Sequence, residues 1–166
     1  MELVVYGGLC PAGEERKLAY RLLALALERE AGLTETPALE REAGGKPFFP
    51  GFPQLQFNLS HSRGAAVCAL HHLPVGVDVE RLRQPPRRLA RGLEADAFFR
   101  LWTAKEATVK LAGQGIAALL ELREPDRRCQ CLEDFLPGWI VTLCPTEPGP
   151  VRTVRVENPY ERRKEP

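Results

Sequence analysis

At 166 residues the chain has room for one domain, or for two small halves that share a core. It is 44% hydrophobic and 27% charged, and its formal net charge of +1 excludes a global field that would draw nucleic acid or an anionic membrane. No apolar stretch approaches the ~20 residues of a membrane span, and the five scattered cysteines, an odd number, point to free thiols in a reducing cytoplasm.

In chain order, "ELVVYGGL" reads as a first strand, broken at Pro11 and Gly13. The short apolar run and Glu2 do not make a signal peptide. "EERKLAYRLLALALEREAGL" is a predicted helix: Leu18, Leu22, Leu25 and Ala26 recur at helical spacing and Gly32 stops it. "GGKPFFPGFPQ" is a loop rich in Gly and Pro. "LQFNLSHS" and "GAAVCAL" form a strand pair through a turn near Ser62 to Gly64, and "PVGVDVE" follows as another strand. "RLRQPPRRLARG" is basic and broken by Pro85 and Pro86. "EADAFFRLWTAKEATVKLAG" is the second helix, with Phe98, Leu101, Trp102 and Val109 as core candidates. "GWIVTLC" and "VRTVRVE" read as a hairpin across "PTEPGP", and residues 158–166 as a disordered tail. The order of elements is α+β.

Four segments carry chemistry. In "VGVDVE", Val75, Val77 and Val79 alternate with Gly76, Asp78 and Glu80, so both acids fall on one strand face, roughly 7 Å apart. Such a face either meets water or grips a divalent cation. In "WTAKEATVK", Glu106 and Lys110 share a helix face beside Trp102, which suits a cleft wall better than an ordinary surface pair. "NLSHS" places Ser60 and His61 at a strand end, where neighbouring side chains point oppositely and do not share a proton; the choice is between a turn cap and phosphate contacts. "REAGGKP" sets Arg41 and Lys46 around two glycines, a weak anion cradle by itself. Together the acids, cations and glycine loop fit a magnesium-dependent site for a diphosphate compound.

The ordered set "GGKP", "FNLSHS", "VGVDVE" and "LWTAKEATVK" resembles the 4′-phosphopantetheinyl transferases, in the branch that activates surfactin-type peptide synthetases. The resemblance implies two similar α+β halves, about 1–74 and 75–157, related by a pseudo-twofold, with a ligand cleft between them and a monomeric state. It implies transfer of 4′-phosphopantetheine from coenzyme A to a serine of an acyl or peptidyl carrier protein, with Mg²⁺ as cofactor. By motif position Asp78, Glu80 and Glu106 would be the metal site, and Glu106 the general base, directly or through a water. Lys110 would contact the diphosphate, Arg41 and Lys46 the nucleotide end, and Ser60 and His61 the phosphates. A first-helix cation, Arg16, Lys17 or Arg21, would join them.

The chain departs from the family pattern in having only 57 residues before Asn58 and a compressed segment between Glu80 and Trp102. The basic segment 81–92 is expected at the cleft rim, where it is either a solvated loop or a dock for the acidic carrier. Two other readings compete: a coenzyme A-binding module without transfer, and a different magnesium-dependent phosphotransferase. The presence of all three acids argues against the binding module.

Overall fold

Each half of the core is a sheet with one helix laid on its outer face. The computed structural model describes residues 1–157; the tail expected at 158–166 lies outside the described residues. The chain runs β1 (Leu3–Leu9), α1 (Glu15–Ala31), β2 (Glu40–Arg41), β3 (Pro47–Phe48), β4 (Gln56–Ser62), β5 (Ala65–His71) and β6 (Val75–Arg81). It continues α2 (Arg87–Ala90), α3 (Ala95–Leu111), α4 (Ile116–Glu121), β7 (Gln130–Cys131), β8 (Trp139–Pro145) and β9 (Val151–Val156). The class is α+β, as the element order indicated.

One sheet has the order β4-β5-β1-β9 and another β6-β8-β7, with β2 and β3 as a separate small ribbon. Both long helices end where the sequence says they should. Gly32, at φ 67°, caps α1 in the left-handed conformation that glycine adopts without a Cβ penalty. The turn joining β4 to β5 uses two left-handed residues, Arg63 at φ 45° and Gly64 at φ 99°, the arrangement that matches the twist of a tight hairpin.

Four layers stack in the order α1, four-stranded sheet, three-stranded sheet, α3. Leu18, Leu22 and Leu27 of α1 pack on Tyr6, Ala66 and Leu70. From the opposite face of that sheet Val5, Val67 and Ala69 meet Val75, Val77, Val79 and Leu143. The three valines of "VGVDVE" therefore point between the sheets, and the acids between them point toward α3. Gly76 is what lets α3 come close: a Cβ there would lie 2.0 Å from the carbonyl oxygen of Ala107.

Two expectations fail. The β8–β9 hairpin does not form. β8 pairs antiparallel with β6 and β7, while β9 crosses to the other sheet and pairs parallel with β1. "PTEPGP" is a crossover between layers, and its prolines supply no N–H for a ladder. Leu101 is not core: it is 40% exposed, and Phe99, at 1%, is the buried residue of that turn together with Phe98.

Candidate active site

β4 meets β6 through side chains rather than through a backbone ladder. Asn58, Ser60 and Ser62 alternate along β4, so they share the face turned to β6. Asn58 Oδ1 accepts the Val77 N–H at 2.9 Å. Ser60 Oγ accepts the Val79 N–H at 3.4 Å and donates to Asp78 Oδ1 at 2.7 Å. Ser62 Oγ donates to Glu80 Oε2 at 2.9 Å. The polar positions of "NLSHS" thus fix the strand that carries the acids and orient both carboxylates.

α3 closes the site from the other side. Lys110 Nζ donates to Asp78 Oδ1 at 2.5 Å and to Ser60 Oγ at 3.0 Å, and lies 3.6 Å from Glu106 Oε2. Asp78 is 2% exposed, and its second oxygen, Oδ2, is buried with no hydrogen-bond partner among the described residues. A buried anionic oxygen without a donor is costly, so a site that keeps one is built to receive something. One ligand oxygen from each of Asp78, Glu80 and Glu106 lies within 4.8 Å of the others. Three hard carboxylate oxygens at this spacing, on a set of residues that also holds the unpartnered Asp78 Oδ2, fit a hard divalent cation.

The electrostatics follow from this crowding. Burial, reinforced by the Asp78 charge, pushes the Glu106 carboxyl up to about 7 against the pull of Lys110. Burial works to lower the Lys110 ammonium, but Asp78 and Glu106 outweigh it and hold that group above its ordinary value. Glu80 is held by an ion pair with Arg83 Nη1 at 3.2 Å, and the Arg83 guanidinium lies over the Phe99 ring.

A cleft of 260 Å³ opens beside the acids, walled by the 44–47 loop, by Asn58 and Leu59, and by the end of α3 with the 113–115 turn. Lys46 lines it, with Nζ donating to the Val75 carbonyl at 3.2 Å and its ammonium lowered by burial. The glycines of the loop serve packing as much as cradling: a Cβ on Gly44 would lie 1.9 Å from the Gly113 carbonyl oxygen. A second hollow, of 180 Å³, adjoins the cleft across Pro47 and Leu59 and is lined by Arg16, Tyr20, Arg41 and His61. A third, of 490 Å³, shares Leu119 with the cleft and sets Arg88, Arg91, Lys105 and Arg123 around Leu89 and Leu101.

Asp78, Glu80, Glu106, Lys110 and Ser60 therefore come together, with Lys46 in the same cleft. Arg41 and His61 stand apart from them, on the other face of β4, and Arg16 is the first-helix cation that joins them there. Sequence reasoning missed Arg83, reading it as part of a basic docking stretch, when its guanidinium is committed to Glu80. The i, i+3 spacing from Glu80 was the available signal. It also passed over Gly76, although a glycine inside an apolar strand marks a close approach.

A family model described as the 4′-phosphopantetheinyl transferase superfamily matches residues 87–157, which include Glu106 and Lys110. The 4′-phosphopantetheinyl transferase psf-1 of Bacillus pumilus is 30% identical, over 85% of this chain and 71% of that protein. A 4′-phosphopantetheinyl transferase of Bacillus subtilis is 31% identical, over 46% of this chain and 42% of its own length. The transferase Sfp of Bacillus subtilis (strain 168) is 25% identical, over 63% of this chain and 61% of its own. The chain thus spans from 42% to 71% of the lengths of these curated relatives. With the acid cluster, the cleft and these similarities in one chain, it belongs to the 4′-phosphopantetheinyl transferase superfamily.

Proposed function

We propose that the chain transfers the 4′-phosphopantetheine group of coenzyme A to a serine hydroxyl of an acyl or peptidyl carrier protein, releasing adenosine 3′,5′-bisphosphate. The observation that carries this reading is the orphaned Asp78 oxygen within the Asp78–Glu80–Glu106 cluster, at the edge of a cleft lined by Lys46 and Lys110. Asp78, Glu80 and Glu106 would hold Mg²⁺, which when bound supplies positive charge against diphosphate oxygens.

The chain's own groups do the rest. Lys110 presents a cation to the diphosphate and stabilises the charge that develops on the leaving phosphate oxygen. Glu106 would take the proton of the attacking serine, directly or through one water. Lys46 adds a second cation along the cleft. The adjoining hollow supports the nucleotide end of coenzyme A, with Arg16, Arg41 and His61 toward its 3′-phosphate. The third hollow, cationic and apolar, suits the acidic helix of a carrier protein.

The chain is read as two like halves of one transferase domain, about 1–74 and 75–157, related by a pseudo-twofold, with β9 of the second half laid into the sheet of the first. That arrangement supports a monomer. The free cysteines favour the cytoplasm, and among the described residues no helix is long and apolar enough to cross a membrane.

The test is mass spectrometry of an apo carrier protein incubated with the chain, coenzyme A and Mg²⁺. The expected gain is about 340 Da, the transferred group of the metal-assisted step. Binding of coenzyme A without any gain, over several carriers of fatty-acid, polyketide and peptide synthesis, would make the chain a binding module.

A further inference from the structure

Between the three-stranded sheet and α3, on the β7–β8 side, lies a pair of thiols that transfer does not use. β7 and β8 pair antiparallel with Gln130 opposite Leu143 and Cys131 opposite Thr142. Continued one step past the start of β7, that register would bring Cys129 opposite Cys144. Residues directly opposite in an antiparallel pair project to the same face with Cα atoms about 4.5–5.5 Å apart. That separation falls inside the ~4.4–6.8 Å that a disulfide spans.

The face in question is the one against α3. Thr142 Oγ1 hydrogen-bonds Thr103 Oγ1 at 2.7 Å, and Cys129 Sγ lies 3.3 Å from Thr108 Oγ1 and 3.5 Å from the Ala104 carbonyl oxygen. Cys129 is half-buried, and Cys144 is fully buried behind it.

We propose that Cys129 and Cys144 are a reversible redox-modification site, in which a hydroperoxide oxidises Cys129 and Cys144 resolves the product as a disulfide. The two sulfurs divide these roles by environment. Cys129 is the more exposed of the two, and the neighbouring Cys144 sulfur, Thr108 and Arg128 lower its thiol against burial, while Cys129 and burial raise the enclosed Cys144 thiol. The other thiols lack such a setting: burial raises Cys10, Cys68 and Cys131 alike.

The chemistry balances. The Cys129 thiolate attacks a peroxide oxygen; an S–O bond forms, the O–O bond breaks, and the other oxygen leaves as alcohol or water, giving a sulfenic acid. The Cys144 sulfur then attacks the Cys129 sulfur. The S–S bond forms, the S–O bond breaks, and the hydroxyl leaves with the Cys144 proton as water. Two thiols and one hydroperoxide yield one disulfide, one alcohol and one water.

The test treats the reduced full chain with equimolar hydrogen peroxide. Free thiols should fall from five to three. The mass should drop by about 2 Da, peptide mapping should join 129 to 144, and dithiothreitol should restore the starting state. Cys144→Ser should stop at a Cys129 sulfenic acid that dimedone labels, and Cys129→Ser should give neither product. A disulfide through Cys131, over-oxidation of Cys129 in the native chain with no disulfide, or equal labelling of Cys129 with and without Cys144 would each overturn the proposal. Because the readout is thiol chemistry, its outcome is independent of whether the chain transfers phosphopantetheine.

Discussion

Asp78 has one oxygen with two donors and one with none, and that asymmetry orders the predictions at the scale of single residues. Ser60 donates to the first oxygen, so its hydroxyl orients a carboxylate rather than waiting for a phosphate. Losing a hydrogen bond to a charged group costs about 1.5–3 kcal/mol, or roughly tenfold or more in an equilibrium constant. Ser60→Ala should therefore weaken Mn²⁺ binding, followed by electron paramagnetic resonance, by about tenfold, with little change in the KM for coenzyme A. A raised KM with unchanged Mn²⁺ affinity would return Ser60 to a phosphate-contacting role. Glu106 gives a pH signature. Its carboxyl sits at about 7 in the folded chain against an ordinary 4.5, so between these values the folded state holds the extra proton. That contribution to stability is fully present below about 4.5 and is lost as pH rises through about 7. Metal-free protein should thus melt at lower temperature as pH goes from about 5 to about 8, and Glu106→Gln should flatten this slope. An unchanged slope in the variant would place the titration elsewhere. The acids themselves were legible in the sequence, because alternation in a strand and i, i+4 spacing in a helix are local patterns. Their neighbours were less so: that Ser60 serves Asp78 depends on β4 lying against β6, which no local spacing reveals.

At the scale of elements, the contact between α3 and β6 rests on Gly76. A methyl there would meet backbone, the Ala107 carbonyl oxygen at 2.0 Å and the Leu111 nitrogen at 2.6 Å, so the helix itself would have to move. Gly76→Ala should cost about 3 kcal/mol, the upper end of ordinary overpacking, and lower the Tm by roughly 6–12 °C for a chain of this size. It should also cut activity in the surviving folded protein, since α3 carries Glu106 and Lys110. An unchanged Tm would mean that α3 and β6 separate more freely than their packing indicates. The short α2 belongs to the third hollow. There Arg88 and Arg91 stand with exposed Leu89, so Arg88→Glu with Arg91→Glu should lower kcat/KM for the carrier protein and weaken its salt dependence while sparing coenzyme A. Wild-type efficiency in low salt would remove this hollow from docking. α1, α3 and strands β4 to β6 were readable from periodicity and turn residues. α4 and β7 were not, being six and two residues long, too short to show a period. Leu101 was assigned to the core because it shares the helical repeat with Phe98, but the outer layer leaves that edge of α3 open.

For the whole molecule the decisive element is β9, whose partner the sequence does not reveal. Adjacent apolar strands with a Pro- and Gly-rich link read as a hairpin, yet β8 is already paired on both sides, by β6 and β7, so β9 has no edge to join there. It finds one on β1, six positions long, leaving β1 central in its sheet. The strand also ties the layers. Arg152 pairs with Glu2 at 2.9 Å and with Glu30 of α1 at 2.5 Å, while Arg155 donates to the Phe135 carbonyl oxygen beside the other sheet. A chain cut after Pro150 would expose the β1 edge and release both ties, though the truncated sequence keeps all three acids and Lys110. The expectation is a loss of cooperative unfolding in both layers at once: a broadened thermal transition, a Tm lower by well over 10 °C, and association through the bared strand edge. Coenzyme A with Mg²⁺ should fail to restore the full-length Tm, because ligand binding offsets only what its mass action supplies, ~2.7 kcal/mol at a hundredfold excess over Kd. A truncated chain that melts sharply at the full-length temperature and stays monomeric would show that the two layers hold together through the valine core alone, with β9 merely laid along the edge.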